Sequence, residues 1–385
     1  MSRLPECPTT TALAAAAPDV IALAWGVPAP GSLPTADLQA CLAGPLTADA
    51  LQYGELLGAP RLRELLRQQL AARGILAAAE QIAILTGGCL GIELFARLLV
   101  GRGEAVLLES PAFSEAIRIF RAYSDHLVPV AVDEDGLVPE ALAEALAGQA
   151  RRGVRARLLY LVPHAQNPSG ATLTAPRRAR ILELATAHDL IVIEDDPYYL
   201  LSFANRPLAP LRALDDADRV VYLDSFSKTL APGLRVGWAV VPRTLLAPFL
   251  SLKQACDFSP NPFAQEFAFR FCAAGHLEPH VAYLRGLYRA RKDALLQAVR
   301  RHLPQARVRV DPPGGFFLWL DLPADAPDTQ ALLPRALAAG VSFIPGPTLD
   351  PLGGSRQSLR LSYSYESPER MEEGVRRLAC LLRAG

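Results

Sequence analysis

Among the 39 Lys and Arg residues of this chain only three are lysines: Lys228, Lys253 and Lys292. Lys228 lies in the string Ser225-Phe226-Ser227-Lys228-Thr229-Leu230-Ala231-Pro232-Gly233-Leu234-Arg235. Arginine cannot replace lysine where an amine must lose its proton and condense with a carbonyl, because guanidinium stays charged. A lysine flanked by hydroxyls, with an arginine further along the same string, describes an amine placed beside a phosphate. A pyridoxal-phosphate site has that requirement.

Two further strings supply groups that such a site needs. Asn167 lies in Pro163-His164-Ala165-Gln166-Asn167-Pro168-Ser169-Gly170, just beyond a predicted strand. Alone, Asn-Pro-Ser-Gly is a Pro/Gly turn. Asp195 and Asp196 lie in Glu194-Asp195-Asp196-Pro197-Tyr198-Tyr199. Alone they are a solvated strand end, but three acids leaving an apolar strand are costly unless they meet a cation or open into a cleft. Read together, Asp195 would hold a pyridine nitrogen protonated, and Asn167 and Tyr198 would donate to the ring's phenolate oxygen. Lys228 would form the Schiff base and, once displaced, move the substrate α-proton, with its pKa lowered by desolvation and neighbouring positive charge. Gly87-Gly88-Cys89 offers backbone N–H groups at a helix N-terminus, where the dipole favours an anion, although a glycine pair suits a tight turn equally well. Ser225, Ser227 and the guanidinium fork of Arg235 would complete a phosphate cradle.

These residues need a scaffold that brings strand ends together. Short β-rich apolar runs alternate with longer helical patterns, as in an α/β domain with a mainly parallel sheet. Strands are predicted at 81–86, 105–109, 127–132, 158–162, 190–194, 220–224 and 235–241, with helices at 60–72, 90–100, from about 139, and 175–188. The candidate residues fall at the C-terminal ends of these strands, where open α/β sheets bind ligands. Beyond about 277 the pattern changes to α+β, with strands at 316–322, 341–344 and 359–363 and helices at 277–303, 331–339 and from 368. The expected organisation is an arm and part of a small domain at 1–46, a large cofactor-binding domain at 47–280 and a small C-terminal domain at 281–385.

Composition removes several function classes. The 39 basic residues balance 39 acidic ones, so no basic field points to nucleic acid or an anionic membrane. Clusters such as Arg61-Leu62-Arg63-Glu64 read as solvated helix faces. The six cysteines lack metal or redox spacing, so no metal site is expected and a reduced, cytoplasmic compartment is the simple reading. The apolar run Ala12 to Ala17 is short and makes a poor signal peptide, and no window reaches transmembrane length.

The strings QNPSG (Gln166 to Gly170), EDDPYY (Glu194 to Tyr199), SFSKTLAPGLRVGW (Ser225 to Trp238) and LRLSYS (Leu359 to Ser364), in that order, resemble those of class I/II aminotransferases of the pyridoxal-phosphate fold type I superfamily. The chain is most similar to the kynurenine/2-aminoadipate aminotransferase group and to the aminotransferase domain of GntR-type, MocR-like regulators, from about residue 20 to the end. The resemblance implies a seven-stranded, mainly parallel sheet in the large domain and a smaller α+β domain. It also implies Lys228 as the Schiff-base lysine, Asp195 as the pyridinium partner, Asn167 and Tyr198 as phenolate ligands, and Ser225, Ser227 and Arg235 as phosphate ligands. Arg360 matches the arginine that clamps the substrate α-carboxylate, and Gly26 belongs to the arm that helps to bind substrate. Tyr53, in Gln52-Tyr53-Gly54, matches a tyrosine that reaches the phosphate of a neighbouring subunit, which implies an obligate homodimer with shared sites.

Three positions depart from the pattern. Phe113 stands where a ring-stacking tyrosine is usual, so stacking survives and a hydroxyl is lost. Cys89 replaces Ser or Ala, and Trp25-Gly26 replaces a glycine pair, leaving Trp25 either narrowing the pocket or anchoring the arm. The leading reading is an aminotransferase that exchanges the amine between an L-amino acid and a 2-oxo acid. The same residues would serve a pyridoxal-phosphate-dependent lyase or decarboxylase. A ligand-sensing domain of a GntR-type regulator is the non-enzymatic alternative, against which stand the asparagine of QNPSG and the roughly 20 residues ahead of the matching region, too few for a winged-helix domain.

Overall fold

A computed structural model describes residues 19–204 and 207–383. Cys7 and the run Ala12 to Ala17 lie outside the described residues. The first nine strands are β1 (Ile21–Ala22), β2 (Ile82–Leu85), β3 (Ala105–Ser110), β4 (His126–Asp133), β5 (Gly136–Leu137), β6 (Ala156–Leu161), β7 (Ile191–Asp195), β8 (Val220–Ser225) and β9 (Gly237–Val240). The remaining five are β10 (Arg307–Val308), β11 (Phe317–Asp321), β12 (Val341–Ser342), β13 (Ile344–Pro345) and β14 (Ser358–Ser362).

Eight strands form the central sheet in the order β2-β9-β8-β7-β6-β3-β4-β5. β4, β3, β6, β7 and β8 run parallel. Parallel neighbours need long crossovers, and helices Ser114–Tyr123 and Ala175–Ala187 supply them between β3 and β4 and between β6 and β7. Covered on both faces, the strands read as continuous apolar runs, and β7 and β8 are buried along their whole length. β9 follows β8 through the short connection 226–236 and pairs antiparallel with it, because a connection of that length returns a strand alongside its predecessor. The seven predicted strands are joined by an eighth, the two-residue β5, which pairs antiparallel with β4 across the turn Asp133-Glu134-Asp135-Gly136. β3 lies between β4 on one side and β6 on the other, so successive connections leave in opposite directions and open a crevice at the strand ends.

A second sheet of order β10-β11-β14-β13 is antiparallel throughout. β1 pairs in parallel with β12, Ile21 opposite Val341, and so ties the start of the described chain to its last third. The single strand predicted at 341–344 is two strands. β12 pairs with β1 and β13 with β14, on either side of the fully buried Phe343. Continuous burial conceals that change of partner, because every residue from Val341 to Pro345 is buried and no in/out alternation marks the break.

Helices Arg243–Asp257 and Pro262–Ala273 fill the stretch between β9 and the long helix Leu277–His302. The helix predicted from Leu90 begins at Gly88, which places Gly87 at its N-cap and Gly88 in its first turn. Among the described residues no helix is long and apolar enough to cross a membrane, and no group of three or more His, Cys, Asp or Glu side chains is arranged to hold a metal.

Candidate active site

Lys228 is held by the packing of its own loop. Phe226 and Leu230 are almost fully buried on either side of it, and Phe226 packs on Trp238 of β9 at 4.9 Å between ring centroids. Burying an aromatic side chain of this size contributes about 1.5–3 kcal/mol. The backbone closes tightly, with Phe226 N–H donating to Val236 O at 3.0 Å and Leu230 N–H to Phe226 O at 2.9 Å. Lys228 Nζ therefore points into the crevice and donates to Gly26 O at 2.7 Å. Burial lowers its pKa to about 8, helped by Arg360 and Arg235 and opposed by Cys89 and Asp195. No carboxylate pairs with it among the described residues.

The three acids at the end of β7 go to three different places. Glu194 turns away from the crevice and accepts from Leu211 N–H at 2.6 Å and Arg212 N–H at 2.8 Å. Asp196 accepts from Tyr222 Oη at 3.3 Å and lies 2.8 Å from His164 Nδ1. Asp195, the last residue of the strand, faces the crevice. Its Oδ2 accepts from Tyr160 Oη at 2.7 Å, and its Oδ1 has no hydrogen-bond partner among the described residues. Burial pushes Asp195 up to about 6, with Tyr160 and Lys228 working in the opposite direction and Asp196 adding to the rise.

The anion cradle is built around Gly87, whose backbone conformation strains any other residue. Gly87 has φ +83°, and a Cβ there would strike the Arg235 guanidinium. Arg235, itself left-handed at φ +56°, thus lies against the N-terminus of helix Gly88–Leu99. On the other side a Cβ on Gly237 would come within 2.9 Å of the Gly87 carbonyl carbon, so β9 also runs close to this turn. Backbone N–H groups, the helix dipole and a guanidinium converge there. Ser225 and Ser227 border the same space, with Ser227 N–H donating to Ser225 Oγ at 3.3 Å. Cys89, one residue into the helix, opens onto the cavity; burial and the negative charges of Asp195 and Glu115 raise its thiol pKa.

Arg360 comes from β14 of the second sheet and is 2% exposed. One nitrogen donates to Asn167 Oδ1 at 2.8 Å and another to Ala24 O at 2.8 Å, while Nε is buried without a partner among the described residues. Its guanidinium lies 4.0 Å from the centroid of Phe317, and burial lowers its pKa to about 10. Because Asn167 Oδ1 serves Arg360, the asparagine amide is the group left to donate into the cavity. A Cβ on Gly26 would sit 2.6 Å from Phe317 Cζ, so the arm approaches as closely as it does only because it carries glycine there.

These groups line one cavity of about 570 Å³. Gly26, Gly88, Cys89, Phe113, Asn167 and Asp195 are brought together there with Tyr198, Ser225, Ser227, Lys228, Arg235 and Arg360. Trp25 also lines the cavity while packing on Tyr365 at 4.6 Å, so it both shapes the pocket and anchors the arm. Tyr53 stands apart. It is 78% exposed, and its ring meets Phe258 edge-on at 5.4 Å.

Sequence reasoning missed several groups in and behind the cavity wall. Tyr160 on β6 holds Asp195. Glu109 on β3 accepts from Val162 N–H at 2.9 Å and from Gln166 Nε2 at 3.0 Å, and Gln166 Oε1 accepts from Ser169 N–H at 2.7 Å, which fixes the loop that carries Asn167. Phe316 and Phe317 come from β11 and the residue before it. A tyrosine inside the apolar strand 158–162 was the one available signal, since a buried phenol needs a partner.

Comparison with known proteins agrees with this geometry. The family model described as aminotransferase class I and II matches residues 31–378. The chain is 33% identical over 370 residues to an aromatic-amino-acid aminotransferase of Thermococcus litoralis, covering 94% of this chain and 87% of that protein. It is 33% identical over 372 residues to a 2-aminoadipate transaminase of Thermus thermophilus, covering 95% and 91%. Its fold is similar to the crystal structure of a Pyrococcus horikoshii kynurenine aminotransferase, with TM-score 0.93, 34% identity and coverage of 99% and 95%. The chain belongs to the aminotransferase class I and II family and is an aminotransferase of fold type I.

Proposed function

We propose that the cavity binds pyridoxal 5'-phosphate and exchanges the amine between an L-amino acid and a 2-oxo acid, with Lys228 as the Schiff-base residue. The donor set fits this group on three counts. A guanidinium and a helix N-terminus meet at Gly87, where an anion is stabilised. Asp195 presents one carboxylate oxygen without a partner among the described residues, which suits a protonated ring nitrogen. Arg360 carries a buried Nε without a partner among the described residues, which suits an entering carboxylate. The observation that carries the reading is Lys228 itself, a half-buried amine in that cavity, unpaired with any carboxylate among the described residues and lowered to about 8.

When bound, the cofactor supplies an aldehyde for an amine to condense with and a ring that withdraws electrons from the adjoining carbon. The residues of the chain provide the rest. Arg235, Ser225, Ser227 and the N–H groups of Gly88 and Cys89 hold the phosphate. Asp195 keeps the ring nitrogen protonated, and Phe113 lies where it can cover a ring face. Asn167 and Tyr198 donate to the phenolate oxygen. Arg360 binds the substrate α-carboxylate in a fork that fixes the amino acid's orientation. Lys228 Nζ, with its pKa near 8, would take the α-proton from the substrate carbon and hand it on to the carbon that carried the cofactor's aldehyde. The wall formed by Trp25, Val27, Phe113 and Phe317 is apolar, which supports an aromatic or aliphatic amino donor, in keeping with the aromatic-amino-acid aminotransferase to which the chain is similar.

The working unit we propose is a homodimer. Leu51, Tyr53 and Phe258 are large apolar side chains left more than half exposed, and Phe263 is also exposed. Tyr53 and Phe258 touch, and a Cβ on Gly54 would meet Pro262 at 3.4 Å, so the residues share one face. An apolar face of this kind marks a protein contact, and on it Tyr53 would reach the phosphate of the second subunit. Reduction of the cofactor-loaded protein with borohydride, followed by peptide mapping, tests the assignment: a phosphopyridoxyl mass on Lys228 is expected, and its placement on Lys253 or Lys292 would refute it.

A further inference from the structure

Asp195 has two carboxylate oxygens in unlike surroundings. Oδ2 accepts from Tyr160 Oη at 2.7 Å. Oδ1 faces the first turn of helix Gly88–Leu99, where a Cβ on Gly88 would lie 3.9 Å away. Tyr160 is fully buried in the middle of the sheet, and its ring packs edge-on against Phe120 at 5.6 Å. The phenol therefore has no solvent to turn to, and the carboxylate cannot rotate without abandoning it.

We propose that Tyr160 is a positioning residue for the cofactor's ring nitrogen: its hydroxyl occupies Asp195 Oδ2, so that Oδ1 alone is presented to the ring, and its proton keeps the carboxylate ionised. The inference rests on the pyridoxal-phosphate reading above. Hydrogen bonding to a charged group favours the charged form, and Asp195 needs that support. Burial and Asp196 raise its pKa, while Tyr160 and Lys228 lower it. Glu109 of β3 also faces it, itself pushed up to about 8 by burial, and so do Cys89 and Tyr198. Without the Tyr160 proton, Asp195 becomes a stronger base and draws the ring-nitrogen proton toward itself. The ring then carries less positive charge.

The test uses the cofactor-loaded enzyme and four proteins: wild type, Tyr160→Phe, Asp195→Asn and the double variant. Tyr160→Phe keeps the ring and its packing on Phe120. Its dissociation constant for pyridoxal phosphate, measured by titrating the cofactor-free protein, is expected to rise roughly tenfold, the usual size for a lost hydrogen bond to a charged group. The pH midpoint of the visible absorption change is expected to move upward. In the Asp195→Asn background the same Tyr160 change is expected to move neither quantity by more than about twofold, because the interaction is already gone. Unchanged affinity and midpoint in Tyr160→Phe would overturn the inference. So would an equal effect in both backgrounds, which would make Tyr160 a packing residue only. If the wild-type protein shows no visible band with pyridoxal phosphate, the cofactor reading fails and takes this inference with it; a normal wild-type band with an unaltered Tyr160→Phe removes the inference alone.

Discussion

Two clusters of buried charge lie within a few residues of each other, and they differ in what is left over. Behind the strand ends, Asp224 meets Arg73 at 2.6 Å, Asp196 is held by His164 and Tyr222, and Glu194 accepts two backbone N–H groups beside Arg178. Every acid there is matched. In the cavity, Lys228 rests on a carbonyl oxygen, and among the described residues one oxygen of Asp195 and Nε of Arg360 have no partner. The residue types are the same, and Asp195 and Asp196 are adjacent in sequence. Buried polar groups that are fully matched hold the fold together, whereas those left unmatched are costly and are retained where a ligand completes them. Lys253 makes the same point for lysine. It is as buried as any residue in the chain, yet it is paired to both oxygens of Asp257 at 2.9 and 3.1 Å.

The comparison predicts that cavity substitutions lose rate and back-cluster substitutions lose stability. The largest effect belongs to Lys228→Ala. Turnover is expected to fall roughly 10⁴-fold or to background, since both covalent attachment and proton transfer are removed, while circular dichroism and the unfolding midpoint stay near wild type. Retained turnover would break the assignment. Asp195→Asn is expected to reduce turnover by roughly 10²-fold or more and to leave stability unharmed, because the fold already disfavours the ionised carboxylate. Arg73→Met should do the reverse. With Asp224 stranded, unfolding in urea is expected to show a loss of about 3 kcal/mol; a similar loss in Asp195→Asn would erase the distinction between the two clusters.

The acids also give the protein a pH dependence. Glu109 and Glu194 are both pushed up to about 8 from the usual 4.5, in each case chiefly by burial. Between those values the folded chain binds protons that the unfolded chain does not, so their contribution to stability is full below about 4.5 and is lost as pH rises toward 8. Glu109→Gln keeps an acceptor for Val162 and Gln166, and is expected to flatten the fall in unfolding free energy between pH 5.5 and 8. An unchanged slope would show that Glu109 is ionised throughout. The smallest effect is expected from Tyr53→Phe, which should weaken pyridoxal phosphate binding only several-fold and leave a dimer by light scattering.

Much of this arrangement is legible in the sequence, because the strings that carry it are local. Lys228 with its flanking serines and Arg235 forms one loop, and Asp195 ends a strand whose unbroken apolar run announces burial. Other parts are set by contacts between distant segments. Tyr160 meets Asp195 only because β6 and β7 are neighbours, and Arg360 meets Asn167 across 193 positions of sequence. That second contact takes up the carbonyl oxygen of Asn167 and leaves its amide to donate. The first turn of helix Gly88–Leu99 escapes the periodic pattern because its glycines have no side chains to repeat. The division of 341–345 into two strands escapes it because both halves are buried and show no alternation.

The most direct test of the account is the visible absorption of the purified protein with pyridoxal phosphate, before and after adding single L-amino acids with no oxo acid present. A visible band is expected that one or more amino acids bleach, with release of roughly one matching 2-oxo acid per site, as for a covalent two-step exchange. No band after adding the cofactor, or a band that no amino acid bleaches, would contradict it.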